Sequence, residues 1–301
     1  MAESPVSSTA AEVLALLRYG KVTPRVLDLL LQHFGSPTEI LGASTASLRK
    51  LSGVTAGSAE RIAATSKHLD EARKYVAGLN HRGITVLTRF DDNYGHLLFE
   101  LNDPPPLLYV RGTLPSAQEK SVTLVGSRQA TADGIALTTR VAQQFAQAGV
   151  QIISSLDGGN DSAAHLGARR GGGKSFALLA SGFDELDSQT QVPIAIDIAQ
   201  SGGVISEFAP DSTQVPEALE VSDRLLVGIS QATVITEIYQ ESRREHDLLM
   251  FCNQIGKMVF VVVDDAFGPL ADHESLTHAA ACGAIVLHGT GQVGDIARSL
   301  V

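Results

Sequence analysis

The chain has 301 residues, 44% hydrophobic and 19% charged, with 28 Gly; this suffices for two domains with sizeable cores and excludes a disordered chain. No apolar run approaches the ~18 residues of a membrane span, the opening MAESPVSSTA has no basic-then-apolar signal pattern, and Cys252 and Cys282 are too few for a disulfide framework or a four-cysteine zinc site. The expectation is a soluble cytoplasmic protein with no membrane association, no metal and no cofactor. The net charge of −10 argues against a broadly basic nucleic-acid binder, but residues 1–85 hold 10 Lys+Arg against 7 Asp+Glu while residues 86–301 hold 13 against 26. A nucleic acid would need a local basic pocket on an acidic body.

The first ten residues are small and polar and read as a frayed tail. From Glu12 to about Asn80 the apolar pattern is helical. Val13, Leu14, Leu16 and Leu17 precede a break at Gly20, Pro24 opens a second helix, and Gly35-Ser36-Pro37 stops it. Ser44 or Thr45 can cap the segment reaching Leu51, and Leu51–Ile62 places a tight glycine-containing turn between two short helices. That run is similar to a helix-hairpin-helix, whose turn can offer backbone N–H groups to a phosphate; a small helical domain also needs such turns merely to fold. Residues 81–115 bridge, with short strands expected at Ile84–Leu87 and Leu107–Val110 around a turn and the stiff Asn102–Pro106.

From Ser121 the period changes to short β-branched runs separated by helical ones. Strands are expected at Val122–Val125, Gln151–Ser154, Phe176–Leu179, Val204–Ser206, Thr233–Thr236, Met258–Val263 and Ile285–Leu287. Helices are expected at Asp133–Ala148, Ser162–Arg170, Val192–Gln200, His246–Ile255, Leu276–Cys282 and Val293–Leu300. Buried strands with helical crossovers predict an α/β fold: a doubly wound parallel sheet preceded by a small all-α domain. The expected division is a disordered tail over 1–11, a helical domain over 12–80, a bridging segment over 81–116 and the sheet domain over 117–301.

Such sheets bind ligands beyond the carboxyl ends of their strands, so the loops there are the place to look for chemistry. After the first strand come Gly126, Ser127 and Arg128. Glycine permits a tight turn, serine can hydrogen-bond a phosphate oxygen, arginine can take one bidentately, and the helix beyond offers free N–H groups. The lesser alternative is that Arg128 only pairs with an acidic neighbour. The loop is neither a GxGxxG fingerprint nor a Walker loop, so NAD and ATP chemistry lose support. After the second strand, Gly158 and Gly159 allow close backbone approach to a ligand, Asp161 fits a helix N-cap, and His165 lies about one turn into that helix, where a structural role is commoner than catalysis. Later strand ends carry Gly182, Glu207 and Glu237. The two glutamates could accept from a ribose or a base edge, or pair with Arg224, Arg243 or Arg244. No Ser–His–Asp set and no metal cluster is marked by spacing.

Taken in order, these motifs resemble the DprA (Smf) family of DNA-processing proteins. His33–Pro37 is similar to that family's sterile-alpha-motif-like domain, and Asp103–Gly112 (DPPPLLYVRG) to its lead-in. Val125–Arg128, Asp161 with Ala163–His165, Gly182–Asp184, Ser206–Phe208, and Arg224 followed by Gly228–Ser230 continue the likeness. The resemblance implies a Rossmann-like domain that binds single-stranded DNA, commonly as a homodimer, protects it, and helps load a RecA-type recombinase during natural transformation and DNA recombination; it implies no catalysis. On that likeness Gly126, Ser127 and Arg128 cradle a phosphate and Arg224 adds a second positive charge. The chain departs from the family pattern at Gly158, where an arginine is usual, at Ser222-Asp223-Arg224, where Arg-Asn-Arg is usual, and at Glu241–His246, where small residues are usual. Arg243 and Arg244 in that last loop could compensate. The resemblance further leads to the expectation of a member without the family's C-terminal winged-helix-like domain. The alternative function is a nucleotide-binding sensor of the same superfamily. A nucleoside-monophosphate-cleaving enzyme ranks third, because the P-G-G-x-G-T-x-x-E pattern of that branch is missing.

Overall fold

Hydroxyl side chains and prolines set the helix starts of the N-terminal part. In the computed structural model, which describes residues 8–213 and 216–300, the helices are α1 (Ser8–Arg18), α2 (Pro24–Phe34), α3 (Pro37–Gly42), α4 (Thr45–Leu48), α5 (Ala56–Ala64) and α6 (Leu69–His81). Thr23, Ser36, Ser44 and Thr55 each accept from a backbone N–H in the first turn of the helix that follows, which satisfies a donor the helix itself cannot. Leu14, Leu16, Leu27, Leu30, Ile40, Leu48, Ile62 and Val76 are buried.

The tail expected over residues 1–11 does not hold from Ser8 onward. Ser8–Arg18 is helical and Ala10 and Ala11 are fully buried, because small apolar side chains let α1 pack closely. Residues 1–7 lie outside the described part. The bridge also has more order than its turn residues imply: β1 (Thr85–Thr88) pairs antiparallel with β2 (Leu107–Gly112). The loop between them is tied by Asp91, whose carboxylate accepts from Thr88 N and Oγ1, and by Arg89, which pairs with Asp28. Residues 1–94 and 102–110 make one unit; residues 95–101 and 111–301 make the other.

The second unit is the doubly wound sheet. Its strands are β3 (Ser121–Val125), β4 (Gln151–Ser155), β5 (Ser175–Leu179), β6 (Gly203–Ser206), β7 (Ala232–Ile235), β8 (Met258–Val263) and β9 (Ile285–His288). They run parallel in the order β6-β5-β4-β3-β7-β8-β9. The chain builds outward from β3 to β6, then returns to β7 beside β3. The helices are α7 (Ala132–Gln147), α8 (Gly159–Arg170), α9 (Gln191–Ile198), α10 (Pro216–Gly228), α11 (Arg243–Gln254), α12 (His273–Ala281) and α13 (Val293–Ser299). A core of Val122, Leu124, Leu137, Val141, Phe145, Val234, Val262 and Ile296 packs α7 and α13 on the central strands.

The helix α10 is not among the expected elements. Its signal is present: Ser222, Leu225, Leu226 and Ile229 recur at helical spacing and are all buried. The preceding Pro210 and the polar run from Asp211 to Gln214 mask it, although Pro216 at the first helical position is itself a start signal. Among the described residues no helix is long and apolar enough to cross a membrane.

Candidate functional site

Because β3 and β7 are neighbours whose chains depart in opposite directions, their carboxyl ends open a crevice at the switch point of the sheet. The loops after β3, β4 and β7 and the helix α10 converge there. A cavity of about 680 Å³ is lined by Arg128, Arg224, Arg243 and Arg244, by Asp223, Glu220 and Asp247, and by an apolar floor of Leu219, Leu248 and Phe251. Four of the residues expected to meet a ligand, all arginines, thus line one wall system.

Each of these arginines faces a carboxylate. Arg128 Nη2 donates to Asp157 Oδ2 at 3.0 Å. Arg224 Nη2 donates to both oxygens of Glu207 at 2.9 Å. Arg244, 10% exposed, donates to Asp223 through Nε and Nη2 and to the fully buried Asp161 through Nη1 at 2.8 Å. Arg243 is the exception in exposure: it is 87% exposed and 3.6 Å from Asp247 on the same helix. Burial works against the charge on Arg244, but the adjoining Asp161 and Asp223 outweigh it and hold its pKa above the ordinary value. Burial pushes the Asp223 carboxyl up, against the pull of Arg244.

The glycines do not line this cavity. A Cβ on Gly126 would come within 2.6 Å of the Asn160 side chain, so the space over that glycine is filled by protein, not left for a phosphate. Gly159 has φ +52, and a Cβ there would meet the carbonyl oxygens of Ser127 and Arg128 at 2.3 and 2.5 Å. The close approach expected toward a ligand is instead made toward the neighbouring loop, completed by Asn160 N donating to Ser127 O. Ser127 Oγ accepts from Gln129 N within its own turn. Gly158, at φ +93, starts α8 as its N-cap. The role expected for Asp161 therefore falls to Gly158; Asp161 sits in the first turn, accepting from Gly126 N, Ser155 Oγ and Arg244. Gly182 closes a different loop, donating its N–H to Ser212 O and packing on the carbonyls of Ala209 and Pro210.

Of the two glutamates, Glu207 takes the second of its expected roles and pairs with Arg224. Glu237 pairs with none of the arginines named for it. It is buried and accepts from Thr131 N and Oγ1, Asn160 Nδ2 and Tyr239 Oη, which knits the start of α7 to β7 and α8. A carboxylate buried at a helix start is held by those donors and by the helix dipole.

His165 is buried, and its Nε2 lies 3.0 Å from the Ser155 carbonyl. A carbonyl can only accept, so Nε2 carries the proton and Nδ1 is left as a bare acceptor with no partner. Burial drives its pKa down to about 4, against the opposing pull of Ser155 and Asp161. Glu245, buried on α11, goes the other way: burial pushes it up to about 7, with Arg244 working against. The linkage signs are opposite. The stability owed to His165 is full above its ordinary 6.5 and is lost as pH falls through about 4. That owed to Glu245 is full below its ordinary 4.5 and is lost as pH rises through about 7. The two offset each other over the overlap, so wild type should show a flatter stability profile than either single variant. His165→Gln, which keeps a donor for Ser155, should lose stability as pH rises from 4.5 to 7. Glu245→Gln should lose it as pH falls from 6.5 to 4. Each change should be on the order of 1–3 kcal/mol in urea unfolding; parallel profiles for all three proteins would refute the assignment.

The family model for DNA recombination-mediator protein A matches residues 85–287. The chain belongs to this family. Protein Smf of Synechocystis sp. is 27% identical over 77% of this chain and 59% of its own length, so the chain spans less than two thirds of that relative. Among solved structures, DprA from Streptococcus pneumoniae superposes with a TM-score of 0.80 at 19% identity, covering 97% of this chain and 98% of that one. DprA from Helicobacter pylori, described for its unique single-stranded DNA binding mode, gives 0.61 at 18% identity, covering 72% of this chain and 97% of that one. These likenesses establish the Rossmann-like α/β fold for this member of the recombination-mediator family.

Within that family frame, the residues that sequence reasoning misses are mostly partners. Asp157 and Asp223 stand in the sequence only as acids beside changed positions, and Asn160 carries no signal of its own. Leu219, Leu248 and Phe251, the floor of the cavity, belong to α10 and α11. A helical period over 219–229 is the signal that could bring the first of them forward.

Proposed function

We propose that this recombination-mediator family chain binds single-stranded DNA in the crevice at the carboxyl ends of β3 and β7, protects it, and assists loading of a RecA-type recombinase, without catalysing a reaction. The observation that carries the reading is the convergence of Arg128, Arg224, Arg243 and Arg244 on one cavity with Phe251 and two leucines on its floor. Arginines supply phosphate contacts and an aromatic face can stack a base, which together make a sequence-tolerant single-strand site. The acidic remainder of the chain fits discrete contacts better than a broad electrostatic surface. Family membership and the single-strand binding described for the H. pylori protein point the same way. The reading treats residues 12–80 and 117–301 as separate domains and the functional protein as a homodimer in the cytoplasm. Sedimentation at tens of micromolar, on the order of weak-dimer affinities, tests the dimer, and a monomer there removes it.

One observation favours a second reading, a nucleotide sensor: every arginine of the cavity except the exposed Arg243 is closely paired, and about 680 Å³ suits a small ligand. Binding of fluorescent oligo-dT and of mononucleotides across a salt series separates the two. Oligo-dT binding that weakens steeply with salt supports the DNA site. Saturable mononucleotide binding with no oligo-dT binding replaces it by the sensor.

A further inference from the structure

Arg128 is a cavity arginine whose hydrogen bonding is incomplete. Its Nη2 donates to Asp157, while Nε, which lies on the same edge of the guanidinium, is buried and has no partner. That edge can hold two oxygens of one anion side by side, as in bidentate arginine–carboxylate and arginine–phosphate pairs. Asp157 fills half of it. The pair is only partly shielded, with Arg128 28% and Asp157 19% exposed, so it can open without unfolding its surroundings. The contrast with Arg244 is direct: there all three nitrogens donate to carboxylates and the side chain is 10% exposed. Asp157 itself is placed by its own backbone, whose N–H donates to Ser155 Oγ, in the loop just before Gly158.

We propose that Asp157 is a built-in competitor for DNA: it occupies Arg128 in the free protein, and a backbone phosphate must displace it to take Nε and Nη2 together. This rests on the cavity being the single-strand site. The carboxylate then sets the affinity. It discriminates against weak, single-phosphate ligands and admits a strand whose other phosphates reach Arg224 and Arg243. Loss of the Arg128–Asp157 pair is part of the binding reaction, and the phosphate gains the buried Nε–H that the carboxylate leaves unused.

The test is a double-mutant cycle read by fluorescence anisotropy of labelled oligo-dT. Asp157→Asn keeps the shape and removes the competing charge. It should tighten binding on the order of five-fold, the scale of a partly exposed ion pair. In an Arg128→Ala background the same substitution should change affinity by less than about two-fold, since only a distant screened charge is then removed. Asp157→Ala serves as the second variant should asparagine perturb the loop, and urea unfolding checks that each protein is folded. If Arg128→Ala weakens binding but neither Asp157 variant tightens it, the competitor is overturned and the DNA site stands. If Asp157→Asn tightens binding equally in both backgrounds, its effect is general charge and the competitor is again overturned. If neither wild type nor Asp157→Asn binds oligo-dT, the DNA site falls and the competitor with it.

Discussion

Replacing Arg128 by alanine should remove most single-stranded DNA binding, while Arg224→Ala should weaken it less. Arg128 stands in the loop after β3, at the crevice, and its buried Nε–H has no partner. Arg224 is held by both oxygens of Glu207. Its charge is therefore more fully neutralised inside the protein. A charge-assisted hydrogen bond contributes about 1.5–3 kcal/mol, so Arg128→Ala should raise the Kd by roughly 10- to 150-fold. The log–log salt dependence should become shallower by about 0.7, the value for one phosphate of a single strand that is no longer neutralised. Anisotropy titrations at several salt concentrations read both quantities. Unchanged affinity and slope in a folded Arg128→Ala protein would move the DNA site elsewhere.

Arg244→Ala should act on stability instead. Arg244 bridges Asp161, fully buried, and Asp223, 14% exposed, and so ties the start of α8 to α10 and α11. Removing the cation leaves two carboxylates with their desolvation cost and no counter-charge. The loss should be about 3–5 kcal/mol, the usual cost of breaking one side of a buried pair. Asp161 keeps its bonds from Gly126 N and Ser155 Oγ, which sets the lower end of that range. Urea unfolding with an unchanged m-value is the measurement. Adding Asp161→Asn and Asp223→Asn in the alanine background should recover part of the loss, because the stranded charges are gone. A drop below about 1 kcal/mol would mean that the ion pairs are surface-like in strength and do not hold the loops together.

Much of the architecture is legible from local pattern. The run Met258–Val263 is a strand with the limits its β-branched residues suggest, and Asp133–Ala148 differs from α7 by one residue at each end. Pro24 and Ser44 start helices because a fixed φ and a side-chain acceptor act within a few residues. What local pattern does not reach is α10, whose apolar period is short and set among polar residues, and the tail, where Ala10 and Ala11 gain their burial only from packing.

By itself, the sequence determined the doubly wound sheet, the arginine-bearing loops at its strand ends and the likeness to the recombination-mediator family, since alternation, glycine position and motif order are properties of neighbouring residues. The tertiary structure alone decided which partners those loops meet. Arg128 and Asp157 are 29 residues apart, Arg244 and Asp161 83, and Asn160 and Glu237 77. Parallel strand order brings such residues together, so which carboxylate neutralises which arginine, which protein atoms a glycine packs against, and which N–H is left without a partner are set by the order of strands across the sheet. Coulombic and hydrogen-bond energies act through space over a few ångströms, and separation along the chain carries almost none of that information.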